Sequence, residues 1–274
     1  MSDRARIALS QATGEESVRR SRLDPLLPVI SFAVVLVTWW AIVGLFSIPP
    51  YIIPSPAAVA ASMAENRSSL LSAAWATGTV ALIGLGTAVV IGIPTGLLIA
   101  RWPLARRLLM PPLVAIQSLP KVALAPLFVA WLGFGLGPKL LITVLITFFP
   151  LTLATIVGVE SVSVSTVHLA RSMGCSGRRF LSYILLPTAA PYIGAAFRTS
   201  ATLAVVGTLV SEFVGSANGL GNLLLIASGN RDTALAFAAI LTVAILGVVL
   251  YVGAAAAARL ASVRLGPTYM RSVT

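Results

Sequence analysis

Three groups of residues in this chain have types and spacings that could do chemistry. The first is the stretch "VHLARSMGCSGRRFLSYILLP", residues 167–187, which holds the chain's one histidine, His168, and its one cysteine, Cys175, with three arginines, two glycines and a closing proline. The second is Gln117 and Lys121 on either side of Pro120. The third is Arg198 and Glu212, which a helix would place on one face about 21 Å apart, too far to pair. One cysteine permits no intrachain disulfide. One cysteine and one histidine fall short of the four ligands a closed zinc site wants, so no metal site is expected. No G-x-x-x-x-G-K-[ST] occurs, so ATP cannot be hydrolysed on a P-loop of this chain. No nucleophile–base constellation and no paired carboxylates within apolar stretches are visible, which argues against an enzyme and against a proton relay.

The elements that must position these residues are set by composition. Of 274 residues, 58% are apolar and only 10% are charged, far below the roughly one quarter of a soluble chain. There is too little polar surface to coat a soluble core, so the class is an all-α integral membrane protein. Six apolar stretches are long enough to cross a bilayer, at about 20 residues each. They are 27–46, 73–100, a less regular region 104–136, 140–159, about 188–210, and 235–258. The third reads as an interfacial helix broken by Pro111, Pro112 and Pro120 and completed by 122–136. The glycines, alanines and threonines of 73–100 suit close helix–helix approach.

Net charge is +11, and its distribution favours a membrane reading over nucleic acid. With both termini on one side, that side collects 14 of the 19 basic residues, including Arg101, Arg106, Arg107, Arg171, Arg178, Arg179 and Arg259. The other side holds Arg67, Lys139 and Arg231. This bias makes the first side the cytoplasm. Residues 1–24 and 263–274 are expected as cytoplasmic tails around a membrane domain 25–262. The opposite side carries a Pro- and Ser-rich loop after the first span. It also carries the glycine-rich loop "GSANGLGNLLLIASGNRDT", whose glycines allow tight turns.

The cytoplasmic segment 160–187 is longer than a simple return needs. Ser163, Ser165 and Thr166 are candidate N-caps for a short helix. Val167, Ala170, Met173 and Gly174 form a short apolar stripe. Gly174 and Gly177 end or bend that helix before Phe180 starts another. Pro187 falls at the start of the next span, where its missing N–H costs little. A short cytoplasmic helix joined rigidly to a span suits docking to a partner. The lesser alternative is an interfacial helix anchored by Arg178 and Arg179.

The spacing Ala170, Gly174, nine residues, Ile184, one residue, Leu186, Pro187 resembles the "EAA" motif of the permease subunits of ABC importers. "PSPAAVAAS" (54–62), "SLPKVALAPLFVAWLGFGLGPK" (118–139), "FFPLTLATIVGVESV" (148–162), "SEFVGSANGLGNLL" (211–224) and "GPTYMR" (266–271) are similar to the taurine, alkanesulfonate and nitrate importer permeases. Relatives proposed for thiamine-pyrimidine or riboflavin import share these features. The resemblance implies a type I importer fold of about six transmembrane helices in the bacterial inner membrane. It implies a coupling helix, with His168, Leu169, Ala170, Arg171, Gly174, Cys175, Ser176, Arg178 and Pro187 at the ATPase contact. It further implies cytoplasmic ATPase subunits carrying ATP and Mg, an extracytoplasmic solute-binding protein and a second permease subunit, expected as a second copy.

Two positions depart from the motif: His168 stands for its Glu and Leu169 for its first Ala. A neutral His168 fits a helix N-terminus better than a protonated one. Charged groups within spans are costly and face a pathway or another helix, which makes Gln117, Lys121 and Glu212 candidates for the translocation path. Lys121 suits an anionic solute, or snorkels to the interface. Glu212, Gly219 and Gly221 belong to a segment expected near an external gate. Arg198 resembles an arginine common in the family and is expected to be structural, at the cytoplasmic end. An ion-coupled secondary transporter is the alternative; the coupling-ion ligands and repeated halves it predicts are not evident.

Overall fold

The computed structural model describes residues 27–265. The expected tail 1–24, "GPTYMR" and the far end of the expected tail 263–274 lie outside the described residues. The described residues up to Ala58 form one compact unit and those from Val59 onward a second. In the first, α1 (Leu27–Leu45) is a 19-residue apolar helix whose described side chains are largely exposed, as suits lipid contact. Ser55 then starts α2 (Pro56–Glu65): its Oγ accepts from the Ala58 N–H, and proline occupies the first helical position.

In the second unit α3 (Arg67–Arg101), α6 (Leu136–Glu160), the helix Gly177–Gly215 and α11 (Thr233–Leu265) are each long and apolar enough to cross a membrane. A fifth candidate is α4 (Pro103–Ser118) with the 3-10 turn Lys121–Leu124 and α5 (Ala125–Leu132), bent by 85° at the break. Of the six expected crossings, four are continuous helices and a fifth is this bent pair, whereas the first corresponds to α1, which among the described residues is a shorter apolar helix. No strand occurs among the described residues.

Two expectations about proline are corrected. Pro111 and Pro112 lie inside an unbroken α4. Each fixes φ near the helical value, so the pair removes hydrogen bonds without ending the helix. Only Pro120 breaks the path, because Leu119 before it is pushed to an extended conformation (φ −71°, ψ 137°). Pro187 likewise does not open a span. The helix begins ten residues earlier, at α8 (Gly177–Phe180), and continues through a π-turn (Leu181–Leu185) into α9 (Leu186–Gly215). The wider turn absorbs what the proline ring and missing N–H would otherwise disrupt.

Close packing is carried by small residues. Along α3, Gly84, Ala88, Gly92 and Gly96 recur every four residues; the three glycines face α6 and Ala88 is fully buried. A Cβ on Gly96 would lie 2.6 Å from Thr155 Cβ. Without a hydrophobic force between helices in lipid, such close approach is what associates them. The α6 hydroxyls are not stranded there: Thr143, Thr147, Thr152 and Thr155 each donate to the carbonyl four residues back. On its other side α6 meets α9. Gly158 lies against Ala189, Ser200 Oγ donates to the Thr147 carbonyl, and Gly207 lies against Thr143.

The glycine-rich loop after α9 is shorter than expected, because part of it folds as α10 (Leu220–Gly229), packed on α11, α9 and α3. At ten residues α10 is too short to cross.

Candidate functional site

The segment after α6 folds as α7 (Val164–Ser172), closed at both ends by its own sequence. Ser163 is the N-cap, its Oγ accepting from the Thr166 N–H at 3.3 Å. At the other end Gly174 sits at φ +72°, its N–H donates to the Arg171 carbonyl (3.0 Å), and the Cys175 N–H donates to the Ala170 carbonyl (2.9 Å). These two bonds are a Schellman motif, which wants glycine at the left-handed position. Gly177, at φ +59°, makes the second turn and starts the long helix that carries Arg178 and Arg179.

Ala170 is buried and Val167 half-buried, as the expected stripe requires, but Met173 is 77% exposed. The stripe is therefore shorter than its sequence spacing suggests. Val164, His168, Leu169 and Met173 instead lie on the outward face, with Ser165 and Ser172 between them, and Leu169 is 62% exposed. His168 is the fifth residue of α7, beyond the first turn over which the helix dipole acts.

Behind this helix Arg101, Trp102, Arg171, Cys175, Ser176 and Gly177 line a cavity of about 410 Å³. Cys175 is half-buried there, and the thiol is free. Nearby, Arg106 on α4 is paired with Glu160 at the end of α6, both well exposed. The described basic residues divide by end as the charge count anticipates. Arg101, Arg106, Arg107, Arg171, Arg178 and Arg179 lie at or beyond the Glu160 end of α6, and Arg67, Lys139 and Arg231 at the other.

At that other end Glu212 is 1% exposed. Thr77 Oγ1 donates to its carboxylate (2.9 Å to Oε1, 3.0 Å to Oε2) and in turn accepts from the Leu220 N–H at 2.9 Å. The Gly221 N–H donates to Oε2 at 2.8 Å. The carboxylate thus caps α10 and joins it to α3. Gly219, at φ +115°, passes so close to Glu212 that a Cβ would collide with the carboxylate. Lys139 Nζ donates to Ser216 Oγ in the same turn, and Ser216 Oγ donates to the Asn218 carbonyl. Glu212, Gly219 and Gly221 are thus brought together. Thr77, the partner that joins them, carried no sequence signal, being 135 residues away.

Gln117 and Lys121 also meet, at the 85° bend: Lys121 Nζ donates to the Gln117 carbonyl and to its Oε1, both at 3.1 Å. Gln117 is exposed and Lys121 half-buried. Arg198, half-buried on α9, lies near mid-span and not at the Glu160 end, because α9 reaches that end at Ala189, opposite Gly158. The shift arises because the helix carrying Arg198 starts well before the apolar stretch does.

Among known sequences, residues 92–263 match the family model described as "Binding-protein-dependent transport system inner membrane component". The chain is 38% identical over 238 residues to the riboflavin transport system permease protein RibX of Chloroflexus aurantiacus, covering 86% of this chain and 89% of the relative. It is 29% identical over 234 residues to the taurine transport system permease protein TauC of Escherichia coli, covering 83% and 85%. Among solved structures it resembles a chain of the MetNI methionine ABC transporter in an inward-facing conformation. The TM-score is 0.62 at 17% identity, over 71% of this chain and 96% of the other.

Proposed function

The chain belongs to the family of binding-protein-dependent transport system inner membrane components and is the permease subunit of an ABC importer, and from that premise we propose that α7 is its coupling helix. In this reading the outward face of α7 seats in a groove of a cytoplasmic ATPase subunit, which binds ATP and Mg. The Glu160 end then faces the cytoplasm, consistent with the arginines gathered there. A second permease subunit, expected as another copy, completes the path, and an extracytoplasmic binding protein delivers solute at the Lys139 end. His168, Leu169, Ala170, Arg171, Gly174, Cys175, Ser176, Arg178 and Pro187 shape or flank the contact. Ala170, Gly174 and Pro187 act through the backbone. His168, exposed in mid-helix, faces the ATPase where the motif has Glu. The solute is of the sulfonate, taurine, nitrate or vitamin-precursor class.

The observation that carries this reading is the shape of α7: a helix capped by Ser163, closed by Gly174, with large apolar side chains turned outward. A membrane segment gains nothing from exposing Leu169 and Met173 to water unless a partner covers them.

The test is co-purification of the tagged chain with its ATPase. Leu169→Glu is expected to cut the recovered ATPase at least tenfold, since a buried unpaired charge in an interface costs about 2–5 kcal/mol. The same variant leaves the thermal stability of the isolated permease unchanged, because Leu169 is exposed there. Wild-type recovery with Leu169→Glu would sink the proposed contact.

A further inference from the structure

On the arginine-rich side, the ends of α3, α6 and the long helix from Gly177 leave a cavity behind α7. It is bounded by Arg101, the last residue of α3, by Val159 beside the end of α6, and by Gly177 and Phe180 at the start of the long helix. Its volume of about 410 Å³ falls among ligand pockets, which run from about 300 to 1,000 Å³. Three helices long enough to span a bilayer end at its walls, so it lies where hydrocarbon gives way to headgroups. Trp102, a lining residue that is 58% exposed, is of the type that favours that level.

The polar groups lining this cavity are unengaged. Arg101 and Arg171 both line it, and neither makes an ion pair or a side-chain hydrogen bond with a described residue. Arg106, which lies outside it, is by contrast paired with Glu160. No carboxylate is among the lining residues. Ser176 adds a hydroxyl that does not cap the helix after it. On α7, Arg171 follows buried Ala170 and lies about 160° around the helix from Leu169. A partner seated on the Leu169 face would not neutralise it.

Beside the basic cavity is an apolar groove. It occupies about 550 Å³ along the end of α3 and the first two turns of α4, and every residue lining it is apolar, among them Leu98, Leu104, Leu108 and Leu109. Trp102 lines both spaces, so cavity and groove meet at that residue. On its α4 side the groove is unpartnered: α4 buries no side chain, and Leu104 and Leu108 are largely exposed. A soluble anion would use the cavity and leave the groove bare. An acyl chain attached to a charged headgroup fills both.

We propose that cavity and groove together hold one phospholipid of the cytoplasmic leaflet with a net negative headgroup. Arg101, Arg171 and Ser176 hold the head, and a chain lies along Leu98, Leu104 and Leu108. Basic pockets between membrane helices on the cytoplasmic side take anionic headgroups in this way. The proposal rests on the permease reading above only for which leaflet is meant. Arg171 belongs to α7 and Arg101 to α3, so the bound head ties the cytoplasmic helix to the spanning helices behind it.

The test is lipid retention, read by native mass spectrometry on the full-length chain in a neutral detergent. The chain is offered equal amounts of dioleoyl phosphatidylglycerol and dioleoyl phosphatidylcholine. One phosphatidylglycerol should be retained in preference. Arg101→Gln and Arg171→Gln should each cut that preference about fivefold, as expected of one basic residue at an anionic membrane surface. Arg101→Lys should keep most of it. Arg107→Gln, an exposed arginine of α4 outside the cavity, should leave it unchanged. Excess glycerol 3-phosphate, which carries the charge without the chains, should not displace the lipid. Wild-type retention indifferent to the headgroup overturns the proposal. So does a loss in Arg107→Gln equal to that in Arg101→Gln, which would report surface charge in general. Full displacement by glycerol 3-phosphate would assign the cavity to a soluble phosphate, and release of the lipid on adding ATPase subunits would assign it to a partner side chain; either overturns the proposal. If one neutral variant does not purify, the other decides. Recovery of ATPase subunits is a separate readout, so this proposal and the permease reading can fail independently.

Discussion

Gly219→Ala is expected to destabilise the permease by about 3 kcal/mol, a large loss for one methyl group. Residue 219 has φ +115°, where an L side chain is strained by about 1–2 kcal/mol. The new Cβ would also collide with the Glu212 carboxylate and drive it from Thr77 and the Gly221 N–H. Leaving a buried polar group without its partner costs a further ~1–3 kcal/mol. The measurement is thermal unfolding of the purified permease in detergent. Glu212→Ala should also destabilise, but the double variant should lose less than the sum, because the group struck by the new methyl is gone. Strict additivity would show that the contact between residues 212 and 219 is not the cause.

The second large effect is expected on transport rather than folding. Around Gly174 a Cβ would meet nothing within 4 Å, so the site tolerates volume but not backbone change. Its φ of +72° and the bonds from Gly174 N–H and Cys175 N–H depend on the left-handed conformation. Solute uptake in reconstituted vesicles should therefore follow backbone preference and not size. Gly174→Asn should retain most uptake, since asparagine visits this region at little cost. Gly174→Val should lose at least tenfold, because a β-branched residue there is strained by about 1–2 kcal/mol and opens the Schellman turn that aims α7. Equal losses in both variants would mean that volume or contact, not the turn, is what matters.

How much of this was legible in the sequence varied with the range of the interactions. Local chemistry read well. Ser163 as a cap and Gly174 as a stop depend on residues within five positions, and both were visible as spacing. The glycines of α3 pointed to close packing before their partner was known, because small residues in lipid have that one use. Met173 misled, since a stripe of apolar residues predicts burial only if something lies beneath all of it. Arg198 misled for a different reason. Its depth is set by where α9 meets α6, and the helix begins at Gly177, in a polar stretch that hydropathy discounts. The Glu212–Thr77 contact joins residues too far apart for any periodicity to reveal. The glycines after Glu212 suggested an open loop, yet Gly219 and Gly221 are there because a carboxylate needs their space.

The π-turn at Leu181–Leu185 stores one residue more than an α-turn would use. Tightening it would swing everything on its N-terminal side, Gly177 and α7 included, by about 100° around the α9 axis and by about 1.5 Å along it. Leu185 is buried in one cluster with Val159 and Ala189, and Phe180 and Leu181 pack against it, so the joint cannot turn without repacking the end of α6 against α9.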